Sequence, residues 1–99
     1  MIILAIEKET PGIKPEQFAQ YLKLEAIKVW DLYQDGLIRE LYFRQDHSET
    51  VLIMEGSSTE EARRALESLP LVQAGLISFD LIPLIPYSGF SRLFIENKS

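Results

Sequence analysis

The sequence of 99 residues contains no cysteine, which excludes disulfides, thiolate nucleophiles and thiolate metal sites together. Its one histidine, His47, lies in a loop-like stretch between Asp46 and Glu49. A lone loop histidine has no second imidazole with which to hold a metal, so we expect a surface residue there. The lack of cysteine fits a reducing compartment, and we predict a cytoplasmic location.

Positive charge is also scarce. Ten Lys and Arg residues stand against fifteen Asp and Glu, which gives a net charge of −5 and a pI of about 4.8. Nucleic-acid binding needs a concentrated basic surface, whereas only Arg63 and Arg64 are adjacent here. No apolar stretch is long enough to span a bilayer. We therefore predict no nucleic-acid partner and no membrane partner.

Several signatures of enzyme chemistry are missing. The sequence has no glycine-rich phosphate loop, no dinucleotide fingerprint, no Gly-x-Ser-x-Gly elbow and no cluster of metal ligands. Kinase, nicotinamide and hydrolase chemistry are therefore disfavoured. We predict a protein that works without a cofactor.

What is present is typical of one folded domain. The hydrophobic fraction of 46% and the charged fraction of 25% are ordinary for a globular protein with a single core. We assign residues 1–86 to the domain and residues 87–99 to a C-terminal tail. The tail is too aromatic for a disordered end, so we expect it to pack on the domain or on a partner.

The predicted elements alternate as strand, helix, strand, strand, helix, strand. Strands are predicted over 2–7, 37–45, 50–55 and 76–84, with helices over 15–34 and from the 58–61 capping box to residue 69. Gly36 suits the left-handed cap of the first helix, and Pro83 restricts the last strand to an edge or end position. This order predicts a ferredoxin-like βαββαβ fold of the α+β class, with two helices on one face of a four-stranded antiparallel sheet.

The predicted strands are apolar on both faces. Ile2–Ile6 and Val51–Met54 are continuous apolar runs, which is typical of strands covered on both sides. The second strand divides its apolar side chains, with Leu37, Leu41 and Phe43 on one face and Ile38 and Tyr42 on the other. Two helices cover only one face, so we expect a sheet-to-sheet homodimer to cover the other.

A family resemblance lies mainly in the second half of the chain. Leu69-Pro70-Leu71, the run Ile77–Leu84 and Pro86 resemble the C-terminal half of muconolactone isomerases, which belong to the dimeric α/β-barrel superfamily. Leu22-Lys23, Gly36, Arg39 and Leu41 fall at matching spacings. The resemblance covers most of residues 1–86 but consists mainly of structural residues. It implies a ferredoxin-like protomer, dimers or higher assemblies, and a pocket for a small organic molecule.

Glu25 is the strongest candidate for chemistry. A turn of about 100° per residue places Phe18, Leu22, Val29 and Tyr33 on an inward stripe of the first helix, with Glu25 in its middle. A buried carboxyl group either finds a partner or is held protonated, and a raised pKa suits a general acid or base. The alternative is that Glu25 pairs with an arginine of the second strand or leans outward at the helix edge.

Three further residues are candidates for substrate binding. Arg39 is the one polar pocket group that matches the resembled family, and a strand arginine can hold a carboxylate bidentately. Tyr42 shares its strand and offers a hydroxyl donor. Tyr87, in the tail, is placed to close the mouth of a pocket. For each of them a packing or solvent-facing role is the alternative.

Leu24, Ile27 and Trp30 fall away from the inward stripe, so we expect them to form a second interface. Two functional hypotheses follow from the sequence. The first is a cofactor-free isomerase-like enzyme that acts on a small unsaturated lactone or organic acid. The second is a non-catalytic binding or assembly module whose pocket is filled by side chains.

Overall fold

The computed structural model describes residues 1–95, so residues 96–99 of the predicted tail lie outside the described part. Four strands form one antiparallel sheet in the order β2-β3-β1-β4. They are β1 (Ile2–Glu9), β2 (Ile38–Phe43), β3 (Thr50–Glu55) and β4 (Ile77–Leu84). The helices are α1 (Pro15–Ala19), α2 (Leu22–Gln34), α3 (Thr59–Glu67) and α4 (Pro70–Gln73), followed by a 3₁₀ helix (Gly89–Phe94). The predicted ferredoxin-like α+β fold is confirmed.

The helix predicted over 15–34 is two helices. At the junction the amide of Tyr21 donates to the carbonyl of Phe18 at 2.9 Å, only three residues back. The regular four-residue pattern restarts when the Glu25 amide donates to the Tyr21 carbonyl at 2.8 Å. Such a three-residue hydrogen bond tightens the last turn of a helix without a change of handedness. The spacing of apolar residues in the sequence does not by itself indicate the break between α1 and α2.

Two predicted helix ends are confirmed in atomic detail. Gly36, just after α2, has φ of +83°, a conformation that glycine adopts without steric cost. At the start of α3 the Ser58 hydroxyl accepts the Glu61 amide at 3.1 Å. The Glu61 carboxylate in turn accepts the Ser57 amide at 2.8 Å. The Ser58 cap therefore satisfies one amide that the helix itself leaves free. The predicted capping box is incomplete, because the Glu61 carboxylate binds the amide of Ser57, one residue before the N-cap, and not that of Ser58.

Proline in the last strand also lies where the sequence requires it. Pro83 belongs to β4, which is an edge strand that pairs only with β1.

None of the helices in residues 1–95 has the length and apolarity needed to cross a membrane.

The predicted side-chain pattern of β2 is wrong at Ile38. The pairing of β2 with β3 shifts between Ile38 and Glu40, which is a β-bulge. A bulge adds one residue to its strand and so reverses the alternation beyond it. Ile38 therefore lies in the core with 1% exposure, on the same face as Leu41, which pairs with the buried Leu52.

The core lies between the sheet and the helices. Alternate residues of β1 and β3 are buried under α2, α3 and the loop that follows α3. The largest fully buried side chains are those of Ile3, Ile38, Leu52, Met54 and Leu69. Their burial supplies the main stabilisation of the protomer, at about 25 cal/mol per Å² of apolar surface.

The opposite face of the sheet is apolar and uncovered in the protomer. Its side chains alternate with those of the core along each strand, as the pairing register requires. We call this surface the open face; it consists of Ile2, Leu4, Ile6, Tyr42, Val51, Ile53, Ile82 and Leu84. Ile82 and Leu84 are 43% and 40% exposed.

After β4 the chain projects away from the domain. Residues 85–95, which we call the C-terminal arm, expose large apolar side chains, with Ile85 at 89% and Phe94 at 86%. The longest dimension of the protein is 63 Å, against 29 and 20 Å for the others. Its radius of gyration is 17.2 Å, whereas a compact domain of this length has about 13 Å.

Replacement of Leu52 by Ala tests the position of the core. We expect Leu52→Ala to lower the free energy of unfolding by about 2–5 kcal/mol, because the buried side chain leaves a cavity. The control is Leu24→Ala, since Leu24 is 57% exposed on α2; it should change the free energy by no more than about 0.5 kcal/mol. Urea denaturation measures both, and equal effects would contradict this core.

Candidate active site

A cavity of about 660 Å³ lies between α2 and the sheet. Its helix wall consists of Leu22, Glu25, Val29 and Tyr33, extended by Phe18 of α1. These are the residues of the predicted inward stripe, which lines the cavity, although the buried residue of α2 is Leu32, outside that stripe. The stripe does not pack tightly there, and Leu22 and Tyr33 stay 54% and 42% exposed.

The sheet forms the floor of this cavity. Leu41 and Phe43 of β2 contribute apolar side chains, and Thr50 of β3 contributes a hydroxyl. Phe43 and Thr50 are paired across the two strands, so they share the face that the helices cover. Glu7 of β1 completes the floor.

The mouth of the cavity is aromatic and open to solvent. Trp30, expected at a second interface on the outer side of α2, lies at the mouth and lines the cavity, with 58% of its surface exposed. Its ring centroid is 5.9 Å from that of Tyr33. Phe43 lines the cavity with 79% of its surface exposed. A ring-shaped molecule would meet aromatic surfaces as it enters.

Glu25 is half-buried and projects from α2 into this cavity. Its Oε1 accepts the backbone amide of Leu71 at 2.9 Å. Leu71 lies in the first turn of α4, where amides have no partner within the helix. Burial raises the pKa of Glu25, the Leu71 hydrogen bond opposes that shift, and the charge of Glu7 adds to it.

The ion pair considered for Glu25 is absent among residues 1–95. Arg44 instead binds Asp46 in a bidentate manner, at 2.9 and 2.6 Å, and approaches Glu49 at 3.9 Å. Arg39 is exposed and does not line the cavity. Glu25 is therefore held by a backbone amide and not by an arginine, which leaves its carboxyl group without a neutralising charge.

A second carboxyl group, that of Glu7, was not identified from the sequence. It is 8% exposed and accepts the Thr50 hydroxyl at 2.6 Å. Burial is the main reason that its pKa is raised; the Thr50 hydrogen bond lowers it, and the charges of Glu9 and Glu49 raise it further. Two carboxyl groups with raised pKa values thus belong to one cavity.

The alternation of β1 contains the information that identifies Glu7. Ile3 and Ala5 are buried, so the next residue in that series also points into the core. The apolar run ends at Ile6, and the predicted strand, 2–7, ends on Glu7 itself, which makes that residue a strand end in the prediction and not part of the buried series. The strand in fact continues to Glu9.

The other predicted substrate-binding residues lie in different places. Tyr42 lines the cavity, but its hydroxyl donates to Glu40 at 2.6 Å. Arg39 lies at the bulge of β2 and Tyr87 in the C-terminal arm, both outside the cavity of their own protomer. The Tyr87 ring is 71% exposed and packs edge-on against Phe90, with 5.1 Å between centroids.

His47 is exposed, as predicted, and its Nδ1 lies 2.8 Å from Oε1 of Glu49. In the part of the chain that the structure describes, no group of three or more His, Asp or Glu side chains is placed to hold a metal ion.

Comparison with known proteins supports the fold. No protein-family model matches the chain, and no curated protein matches it either. Among solved structures it is similar to 5-chloro-2-hydroxyhydroquinone dehydrochlorinase (TftG) from Burkholderia phenoliruptrix AC1100, in complex with 2,5-dihydroxybenzoquinone. The TM-score is 0.71 at 19% identity, over 90% of this chain and 98% of that chain. At this identity the likeness shows a shared fold and does not select a family.

The pH dependence of stability tests the environment of Glu25. A carboxyl group with a raised pKa binds its proton more tightly in the folded protein than in the unfolded chain. We therefore expect wild type to lose stability relative to Glu25→Gln as the pH rises above the usual glutamate pKa. Denaturation of both proteins between about pH 4 and about pH 8 measures the difference.

The control for that comparison is Glu16→Gln. Glu16 is an exposed residue of α1 outside the cavity. The pH trend of Glu25→Gln is measured against that of Glu16→Gln, so that any general effect of the loss of one carboxylate cancels. Equal trends for the two variants would show that the folded protein does not perturb the Glu25 carboxyl group.

Proposed function

We propose that this protein is a cofactor-free enzyme that moves a proton within a small unsaturated ring compound, such as a lactone. The observation that carries the proposal is the position of Glu25, on the wall of an open cavity whose apolar surroundings raise its pKa. A raised pKa brings a carboxyl group closer to the working pH, which favours general acid–base catalysis.

The reaction would need few other groups. The Glu25 carboxylate removes a proton from the carbon beside the lactone carbonyl, and the electron pair of that C–H bond forms a new double bond. The original double bond shifts, and the proton is returned from Glu25 to a carbon at the far end of the conjugated system. The double bond has then moved, with no change of oxidation state.

The structural neighbour is consistent with a ring-shaped ligand. TftG is named as a dehydrochlorinase and was solved with a dihydroxybenzoquinone. The cavity described here is of a size that holds one such molecule, since ligand pockets commonly have volumes of about 300–1,000 Å³. Its open state disfavours the alternative of a non-catalytic module whose pocket is filled by side chains.

Of the predicted substrate-binding residues, Tyr42 borders the cavity, but its pairing with Val51 directs its ring to the open face. Arg39 has no support from its position on the protomer. For Tyr87 we propose a role across the dimer, in which the C-terminal arm packs on a second copy. The arm exposes Tyr87 and Phe90 at 71% and 68%, and it does not pack on its own domain.

The proposal includes a homodimer built on the open face. Each strand contributes apolar side chains to this face, and a monomer rarely leaves so large an apolar surface exposed. A two-fold axis through the centre of the open face would pack the same residues of the two copies against each other, which suits a surface made mainly of aliphatic side chains.

Isomerisation of α-angelica lactone, an uncharged unsaturated lactone, tests the catalytic proposal. We expect wild type to convert it to the conjugated isomer and Glu25→Gln to be at least about a hundredfold slower, since proton transfer by a positioned group contributes that much or more. Ultraviolet absorbance follows the reaction. Glu16→Gln should retain wild-type activity, because Glu16 is exposed outside the cavity.

Stability and activity should respond to Glu25→Gln in opposite directions. The substitution is expected to stabilise the fold at neutral pH, so unfolding would not explain a loss of activity. Equal rates for wild type and Glu25→Gln would contradict the assignment of Glu25 as the proton-transfer group.

The dimer is tested by a pair of matched substitutions. Ile82 lies on the open face and Ile27 on the outer side of α2, and their exposures are similar, at 43% and 50%. We expect Ile82→Asp to convert the dimer to a monomer, because a charge buried at the interface would be desolvated. Ile27→Asp should leave the dimer intact. Sedimentation velocity measures both; a dimer lost only with Ile27→Asp would place the interface on α2.

A further inference from the structure

The charged groups that line the cavity all carry the same sign. Glu7 and Glu9 come from β1 and Glu25 from α2. Within residues 1–95, no lysine, arginine or histidine is among the lining residues. A cavity that binds an organic anion normally offers at least one cation for it, most often an arginine with its two parallel donors.

Arg44 and His47, the basic side chains of the loop between β2 and β3, both contact other carboxylates. Arg44 is bound bidentately by Asp46, and His47 contacts Glu49 at 2.8 Å. Glu49 in addition accepts the Glu9 amide at 2.9 Å, so a fourth carboxylate lies directly behind the β1 end of the cavity. The loop between β2 and β3 therefore brings no net positive charge to this site.

Two donors at the cavity are also directed at carboxyl groups. The Thr50 hydroxyl donates to Glu7 at 2.6 Å, and the Leu71 amide donates to Glu25 at 2.9 Å. Each bond uses one oxygen of its carboxyl group. A ligand thus meets carboxyl oxygens at two points, and oxygens that accept hydrogen bonds disfavour a second carboxylate.

We infer, on the basis of the proposed function, that the cavity selects uncharged ring compounds and rejects carboxylates, with Glu7 as the specificity-determining residue. Glu7 has this role because it is the most buried of the lining carboxyl groups, at 8% exposure. Like charges interact most strongly where solvent screens them least. The substrate carboxylate expected to bind Arg39 therefore has no place in this site.

The experiment compares two lactones that differ in one charge. The first is α-angelica lactone; the second is the same ring bearing a carboxymethyl group, which is an anion at neutral pH. Binding is followed by the fluorescence of Trp30, the one tryptophan in the sequence, which lines the cavity. Isomerisation is followed by absorbance, so binding and turnover are measured separately.

For wild type we expect the uncharged lactone to bind at least about tenfold more tightly than the anion. Glu7→Gln keeps the shape of the side chain and removes its charge, so it should reduce that ratio several-fold. Glu16→Gln, outside the cavity, should leave the ratio as it is in wild type.

The outcomes separate this inference from the proposed function. Equal binding of the two lactones by wild type, with turnover of both, would overturn the selectivity and leave the enzyme proposal standing. Selective binding without turnover would support the selectivity and contradict the catalysis. Absence of binding by either lactone would overturn both. The wild-type ratio tests the inference even if Glu7→Gln does not fold.

Discussion

The sheet of this protein has apolar side chains on both faces, while the α-helices within residues 1–95 pack against only one of them. The rest of the structure follows from that imbalance. The covered face forms the core of the protomer, and the open face has to be buried in some other way. A second copy of the chain offers the same aliphatic surface, which is why the dimer is proposed on the sheet and not on a helix.

The helices do not fill the covered face completely, and that is what creates the site. Glu7 and Glu25 enter the space between α2 and the sheet from opposite sides. Buried carboxyl groups are costly unless hydrogen-bonded, and each accepts one donor, from Thr50 and Leu71 respectively. The fold thus accommodates two carboxyl groups in an apolar cavity. The free-energy cost of burying their charged forms appears as raised pKa values.

Most of the fold was predictable because its determinants are local. Turn residues, the Ser58 cap and the spacing of apolar residues each act within a few positions of the chain, and they indicated the element order. The bulge at Ile38 was not predictable in that way, because it depends on which residues of β3 lie opposite. The break before Leu22 depends on one hydrogen bond that any helical sequence can make.

Of the two carboxyl groups in the candidate site, Glu25 was predictable and Glu7 was not, for a related reason. Helical periodicity alone placed Glu25 among apolar neighbours, since a helix shows its faces in its own sequence. Glu7 was missed because its burial depends on where β1 ends and on the arrival of Thr50 from β3. The alternative, an ion pair between Glu25 and Arg39 or Arg44, is not formed because Asp46 binds Arg44 and Arg39 lies outside the cavity.

By itself, the sequence determined the kinds of chemistry that are available: no thiol, one imidazole, an excess of carboxylates, and strands that demand cover on both faces. Only the tertiary structure decided which carboxyl groups share a cavity and which arginines stay outside it. The physical reason is that hydrophobic burial follows local patterns in the sequence, whereas the partner of a buried charge comes from a distant part of the chain.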